Sequence, residues 1–178
     1  MHEIGTAQTF LGIQINQCLD GSIQLHQDQY IDKLIQEFDI LKPRSTPTIP
    51  IRIKHEAITK PNPTDAKPCQ IERIQRIIGS LYYIANNTRP DIAKATHSLS
   101  THTRNPTTAH VTAAEQILQY LDATRHLCIK FTPQTASSSI PVIHAVTDAS
   151  YADAPDYRSS QGLIIFFNGT PVIWQLHY

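Results

Sequence analysis

Two groups of side chains in this sequence are of types that do chemistry, and they are segregated along the chain. From Lys67 to Lys130 there are eight Lys/Arg against four Asp/Glu, whereas Ile140 to Tyr178 holds Asp148, Asp153 and Asp156 with the single cation Arg158. Clustered cations suit phosphate backbones, and clustered carboxylates suit hard divalent cations that take several oxygen ligands each. Two ordinary solvated faces account for the same counts. The candidate phosphate contacts are Arg73, Arg76, Arg89, Lys94, Arg104 and His110, which flank apolar stripes. Each has a bland alternative: Arg89 can brace a tight helix junction, and His110 can cap or pack within a helix. Tyr82, Tyr83 and Tyr120 have faces that stack on bases, but their helical spacing suits core or boundary positions. By itself Asp148 reads as a solvated acid at a strand end, and Asp153 and Asp156 as loop acids.

Other reactive signatures are missing from the sequence. It has no phosphate-cradling glycine loop and no nucleophile elbow, and its nine His are scattered. Cys18, Cys69 and Cys128 lie far apart, outside any close-spaced ligand pattern, and read as free thiols. With no signal peptide and no apolar run long enough to cross a bilayer, the expected setting is intracellular, cytoplasmic or nuclear, with no membrane partner. The sequons at Asn86 and Asn168 are then unglycosylated. Overall charge is balanced, 15 Lys+Arg against 15 Asp+Glu, so no global field draws nucleic acid.

The elements that must position these residues follow from periodicity. At 178 residues and 40% hydrophobic, the chain can bury one modest core or two small ones. Phe10 to Ile15 and Ile23 to Gln27 alternate as strands around an Asp20-Gly21 turn, and Ile31, Leu34, Ile35 and Phe38 recur at helical spacing. Pro43 to Pro68 holds six of the twelve prolines and reads as an extended linker. Ile71, Ile74, Ile78, Leu81 and Ala85 then form one helical face. At Thr88-Arg89-Pro90-Asp91 a second helix starts almost without a loop, with Thr88 as cap, Pro90 in the first turn and Asp91 facing the positive end. Asn105-Pro106 repeats the cap-and-proline signal before a third stripe, Val111, Ala114, Ile117, Leu118 and Leu121. Leu127, Ile129 and Phe131 alternate as a strand, and 132–139 reads as a linker. Beyond it Ile140 to Val146, Gly162 to Phe167 and Pro171 to Trp174 are three β-rich segments, the last two joined by Asn168-Gly169.

Five ordered stretches carry a family resemblance. Ile78 to Ser100, IGSLYYIANNTRPDIAKATHSLS, resembles the helical region downstream of the polymerase centre in copia-type retrotransposon reverse transcriptases. FLGIQI at Phe10 to Ile15 with GSIQLHQDQY at Gly21 to Tyr30, Thr46-Pro47, and Asn105 to Thr124 with His110, Ala113, Ala114, Tyr120 and Leu121 fit the same family in order. Thr147 to Trp174 resembles the opening of its fused ribonuclease H domain.

The resemblance implies an α+β fold with assigned parts. These are a β-hairpin plus helix from the reverse transcriptase palm (1–42), a proline-rich linker (43–70), a three-helix thumb- or connection-like block (71–131), a linker (132–139) and a truncated three-stranded antiparallel ribonuclease H-like sheet (140–178). It implies a parent that synthesises DNA on RNA and cuts RNA–DNA hybrids with Mg²⁺, partnered by an RNA/DNA template-primer duplex and the remainder of the polyprotein. It places the first ribonuclease H carboxylate, catalytic and metal-binding, on Asp148; the family's usual Asp-x-Asp is here Asp148-Ala149-Ser150, with Tyr151-Ala152 for Trp-Ala and Arg158-Ser159-Ser160 keeping the turn. The family's polymerase Asp-Asp step precedes the FLG strand, and no Asp-Asp step occurs in this sequence. The expectation is therefore a fragment inactive alone and binding no Mg²⁺, since one acid cannot cage two cations roughly 4 Å apart. The alternatives are a non-catalytic nucleic-acid-binding module and a protein-interaction fragment with open sheet edges.

Overall fold

A computed structural model describes residues 8–133, 140–151 and 159–177. The chain is α+β, with two antiparallel sheets and five α-helices among the described residues, and divides into two compact units: Asp28–His126, and the flanking Met1–Gln27 with Leu127–Tyr178.

In the flanking unit, β1 (Thr9–Phe10), β2 (Ile13–Gln17), β3 (Ile23–His26) and β4 (Ile129–Phe131) form one sheet in that order. The run FLGIQI, expected as one strand, instead turns back on itself. Leu11 (φ 48°) and Gly12 (φ 77°) make a two-residue turn, so Phe10 pairs with Ile13. This type of two-residue hairpin loop, matched to strand twist, has positive φ at both positions, and Gly12 supplies one of them without cost. The β2–β3 hairpin closes where Asp20-Gly21 signalled it. Gly21 sits at φ 76°, its N–H donates to Cys18 O (3.0 Å), and Asp20 Oδ1 accepts from Ser22 N (2.9 Å) and Ser22 Oγ (2.6 Å). These bonds from Ser22 hold the Asp20 carboxyl below its ordinary pKa. Ile129–Phe131 is the fourth strand here, with Leu25 opposite Ile129.

The second sheet has the order β5 (Ile143–Ser150), β6 (Ser160–Phe167), β7 (Thr170–His177). All three strands extend beyond or shift from the sequence expectation, because cross-strand pairing recruits flanking polar residues that carry no period of their own. Asn168 (φ 49°) and Gly169 (φ 81°) form the β6–β7 turn, the side-chain chemistry such turns select. A register shift beside it sets Phe166 against Pro171, where a residue without an N–H is tolerated. Thr170 Oγ1 donates to Lys130 O at 2.8 Å.

The helical unit has one core. Its helices are α1 (Asp28–Glu37), α2 (His55–Thr59), α3 (Pro68–Asn87), α4 (Ala93–Ser100) and α5 (Thr108–Ala123). Ile74, Ile77, Ile78, Leu81 and Ile84 of α3 meet Leu34 of α1, Leu99 of α4 and Ile117, Leu118 and Leu121 of α5 in a fully buried cluster. Burying each such side chain stabilises the unit by roughly 1.5–3 kcal/mol against leaving it exposed. The proline-rich segment does not run free as a linker. Ile58 on α2 is buried in the same core, with Ile51 and Ile53 against it. Arg52 N–H donates to Gln116 Oε1 (2.8 Å), and Asn105 ties Ala66 N (2.8 Å) and Thr64 O (3.2 Å). Prolines deny the segment a ladder of its own, so side chains of and before α5 satisfy its main chain instead.

Asn105 is thus not the cap of α5. Thr107 is, its Oγ1 accepting from His110 N at 3.3 Å, because Pro106 lies one residue before the cap.

Candidate functional site

The junction after α3 is built around a buried cation. The N–H groups of Thr88 and Arg89 both donate to Ile84 O at 3.1 Å, so Thr88 closes α3 rather than capping the next element. Pro90–Ile92 is a 3₁₀ turn that runs into α4. Asp91 stands in that first turn as expected, but its carboxylate is taken. Oδ1 accepts from Arg89 Nε (2.9 Å), and Oδ2 from Arg89 Nη2 (2.7 Å) and Tyr120 OH (2.9 Å). Arg89 Nη2 and Nη1 also donate to Thr124 Oγ1 (2.7 Å) and Thr124 O (3.1 Å), and its guanidinium lies 5.5 Å from the Tyr120 ring centre. Arg89 is 3% exposed. A buried guanidinium needs its donors filled, and this one places four of its five within the fold, the bracing geometry. Burial and the Asp91 charge raise the Tyr120 pKa, so its hydroxyl remains a donor.

His110 is buried and equally committed. Its Nδ1 accepts from Thr107 N (2.9 Å), and its Nε2 meets Ile58 O (3.0 Å), which only accepts. The ring is therefore the neutral Nε2–H tautomer. It stacks on His102 with centroids 4.2 Å apart. Burial lowers the pKa of His110, outweighing the Ile58 bond, and burial followed by the charge of His110 lowers that of His102.

Of the remaining basic candidates, Arg73 and Arg76 are brought together, and by protein partners. Arg73 donates to Glu115 Oε1 (2.9 Å) and Phe38 O (2.8 Å), while Arg76 pairs with Glu37; both guanidinium groups lie over the Phe38 ring, at 5.8 and 5.4 Å. Lys94 and Arg104 are exposed. Tyr82 OH bonds Ser100 Oγ (2.9 Å), Tyr83 packs edge-on against Tyr30 at 5.2 Å and Tyr120 is buried, all core or boundary positions.

On β5, Asp148 lies opposite Gly162, with Val146 and Ser150 on its own face. None of these neighbours brings a carboxylate. Asp153, Asp156, Arg158 and Ala152 fall outside the described residues, as does 134–139 of the expected linker. Among the described residues, no three His, Cys, Asp or Glu side chains gather closely enough to hold a metal ion, and no helix is long and apolar enough to cross a membrane.

The bracing partners Tyr120 and Thr124 were hidden in sequence. Their four-residue spacing across the end of α5 signals a shared face, but nothing in it points to an arginine some thirty residues earlier.

Over 177 residues, 98% of its length, the chain is 33% identical to the putative transposon Ty5-1 protein YCL074W of Saccharomyces cerevisiae. Over 180 aligned positions it is 32% identical to the retrovirus-related Pol polyprotein from transposon TNT 1-94 of Nicotiana tabacum. The chain belongs to the copia-type retrotransposon Pol family. It spans 54% of the length of the yeast protein and 13% of the tobacco Pol polyprotein. A shorter match joins this Pol-family chain to the secreted RxLR effector protein 161 of Plasmopara viticola, 30% identical over 99 residues, 55% of the chain and 67% of that protein. No family model matches the chain, and no solved structure does.

Proposed function

We propose that this Pol-family chain is the part of a reverse transcriptase and ribonuclease H polyprotein that follows the polymerase centre, a scaffold that helps hold an RNA/DNA template-primer duplex and performs no chemistry alone. The observation that carries this reading is the match of 98% of this chain to a 13% stretch of the tobacco Pol polyprotein. The motifs at Phe10–Ile15, Ile78–Ser100 and Thr147–Trp174 support reading the hairpin as palm-derived, the helices as thumb- or connection-like and the last sheet as ribonuclease H-like. The order of elements supports it: hairpin strands, a helical unit, then a three-stranded antiparallel sheet carrying Asp148. In the parent, Mg²⁺ supplies charge stabilisation for phosphoryl transfer and hybrid cleavage. Among the described residues the surroundings of Asp148 do not fit a metal pair, since a single carboxylate offers too few of the oxygens that Mg²⁺ takes.

For duplex contact the favoured residues are Lys94 and Arg104, exposed on the helical unit, whereas Arg89 and His110 act as braces. The chain would work within the cell, alongside the rest of the polyprotein.

The test is a primer-extension and hybrid-cleavage assay of the purified 178-residue chain in Mg²⁺, together with binding of a labelled RNA/DNA hybrid across a salt series. We expect neither extension nor cleavage, and binding that weakens as salt rises. Chelator-sensitive extension or cleavage would overturn the non-catalytic reading, and no binding at low salt would overturn the scaffold.

A further inference from the structure

One imidazole fastens the proline-rich segment to the helix beneath it. His110 stands at the third position of α5 and is fully buried. Its Nδ1 accepts from Thr107 N at 2.9 Å, closing the start of α5, and its Nε2–H donates to Ile58 O at 3.0 Å, holding α2 down. Among the described residues, the other side-chain bonds that tie residues 52–66 to α5 and to the connection before it run through Arg52, Asn62, Asn105, Gln116 and Gln119. Side-chain amides do not titrate, and a guanidinium keeps its charge. Of these fastenings, His110 is therefore the one that a proton can undo.

We propose that His110 is a proton-operated catch: a proton on its Nδ1 frees residues 54–66 from α5 while the core of the helical unit stays folded. The added N–H faces the Thr107 N–H, two donors with no acceptor between them. The charge also sits buried, in the first turn of α5, where the helix end is already positive. From the connection before α5 the His102 ring stacks on it, centroids 4.2 Å apart and planes 16° from parallel, and a second proton there adds repulsion. Arg104 in the same connection is exposed. From α2 the ring meets a main-chain carbonyl, and the residues that bracket α2, Lys54 and Lys60, are cations. Among the described side chains no carboxylate meets the ring to hold the charge.

Turning out to water relieves these conflicts together and takes Nε2 away from Ile58 O. Burial already holds His110 below its ordinary pKa of 6.5, so the open form binds the proton that the closed form resists. The closed form is then complete above about pH 6.5 and loosens as the pH falls. The cluster of Ile74, Leu81, Ile117 and Leu118 that stays behind carries no charge to lose.

The experiment is hydrogen exchange of the full chain at about pH 7.5 and about pH 5.5, either side of the ordinary histidine range, read on peptides by mass spectrometry and corrected for the intrinsic rates of the amides. We expect exchange in residues 54–66 to quicken by up to about tenfold per pH unit below 6.5, while peptides from α3 keep their protection. His110→Gln, whose amide suits the third position of a capped helix and does not titrate, should remove the pH dependence. His55→Asn combined with Glu56→Gln, on α2 and with side chains outside the described residues, should leave it in place. Equal protection of 54–66 at both pH values, loss in step with α3, a dependence that survives His110→Gln, or one that vanishes with the α2 pair would each overturn the proposal. Comparison of the two regions in the unmodified chain decides the matter even if a variant fails to fold.

Discussion

Arg89, in the turn between α3 and α4, holds Thr124, just past the end of α5, through two hydrogen bonds, Nη2 to Oγ1 at 2.7 Å and Nη1 to the main-chain oxygen at 3.1 Å. With Asp91 taking two further donors on the same guanidinium, one side chain ties the helix junction to the C-terminal end of α5. Asp91 is 32% exposed and can turn to water, so Arg89→Ala chiefly loses the bonds to Asp91 and Thr124 and leaves a space in the fold. It should destabilise the helical unit by about 2 kcal/mol, read as a lower denaturant midpoint. Arg89→Lys, a single point of charge without the fork, should recover only part of that loss. An Arg89→Ala midpoint equal to that of the parent chain would show the brace to be idle.

His110 gives the helical unit an acid sensitivity. Its folded pKa lies below the ordinary value of 6.5, chiefly through burial, and so does that of His102. Between the lowered folded pKa and 6.5 the unfolded chain binds more protons than the folded one, so stability rises with pH across that window. Stability should be fully present above about pH 6.5 and fall as the pH drops beneath it. Denaturation midpoints between pH 5 and 8 read this directly, and His110→Gln should flatten the slope. An unchanged slope in that variant would place the acid sensitivity elsewhere.

Leu11 holds φ 48° in the β1–β2 turn and is 75% exposed. A leucine in the left-handed region costs roughly 1–2 kcal/mol, and little buried surface offsets it. Leu11→Asn should raise stability by about 1 kcal/mol, since asparagine followed by glycine suits a two-residue hairpin turn. Thermal unfolding of the two chains compares them, and a lower melting temperature for the variant would contradict the turn geometry.

The proline-rich segment depends on Asn105, whose side chain accepts from Ala66 N and donates to Thr64 O. Asn105→Ala should cost about 1–2 kcal/mol and open the segment locally, so limited proteolysis should cut between Lys60 and Lys67 faster than in the parent chain. Equal cleavage rates would mean that Ile58 and its neighbours hold the segment without it.

If the helical unit contacts a duplex, Lys94→Glu and Arg104→Glu should each weaken hybrid binding and lower the salt slope by about one. Arg73→Gln should do so less, because its guanidinium already serves Glu115 and Phe38 O. Equal losses in all three would point to a diffuse electrostatic effect instead of two contacts.

What the sequence determined by itself was everything local. The 3.6-residue stripes of α3 and α5, the Asp20-Gly21 and Asn168-Gly169 turns and the family motif around Arg89 were all legible, because period and turn chemistry act between neighbours. The tertiary structure decided what each basic side chain is for. Arg89, Arg73 and His110 share one composition-level description as cations beside apolar stripes, yet their donors end on Thr124, Glu115 and Ile58, from elements remote in sequence. It also decided that Ile129 completes the hairpin sheet and that the prolines strap a core. The physical reason is the same in each case: a buried polar group must find a partner, and which partner is within reach is fixed only when distant segments have packed.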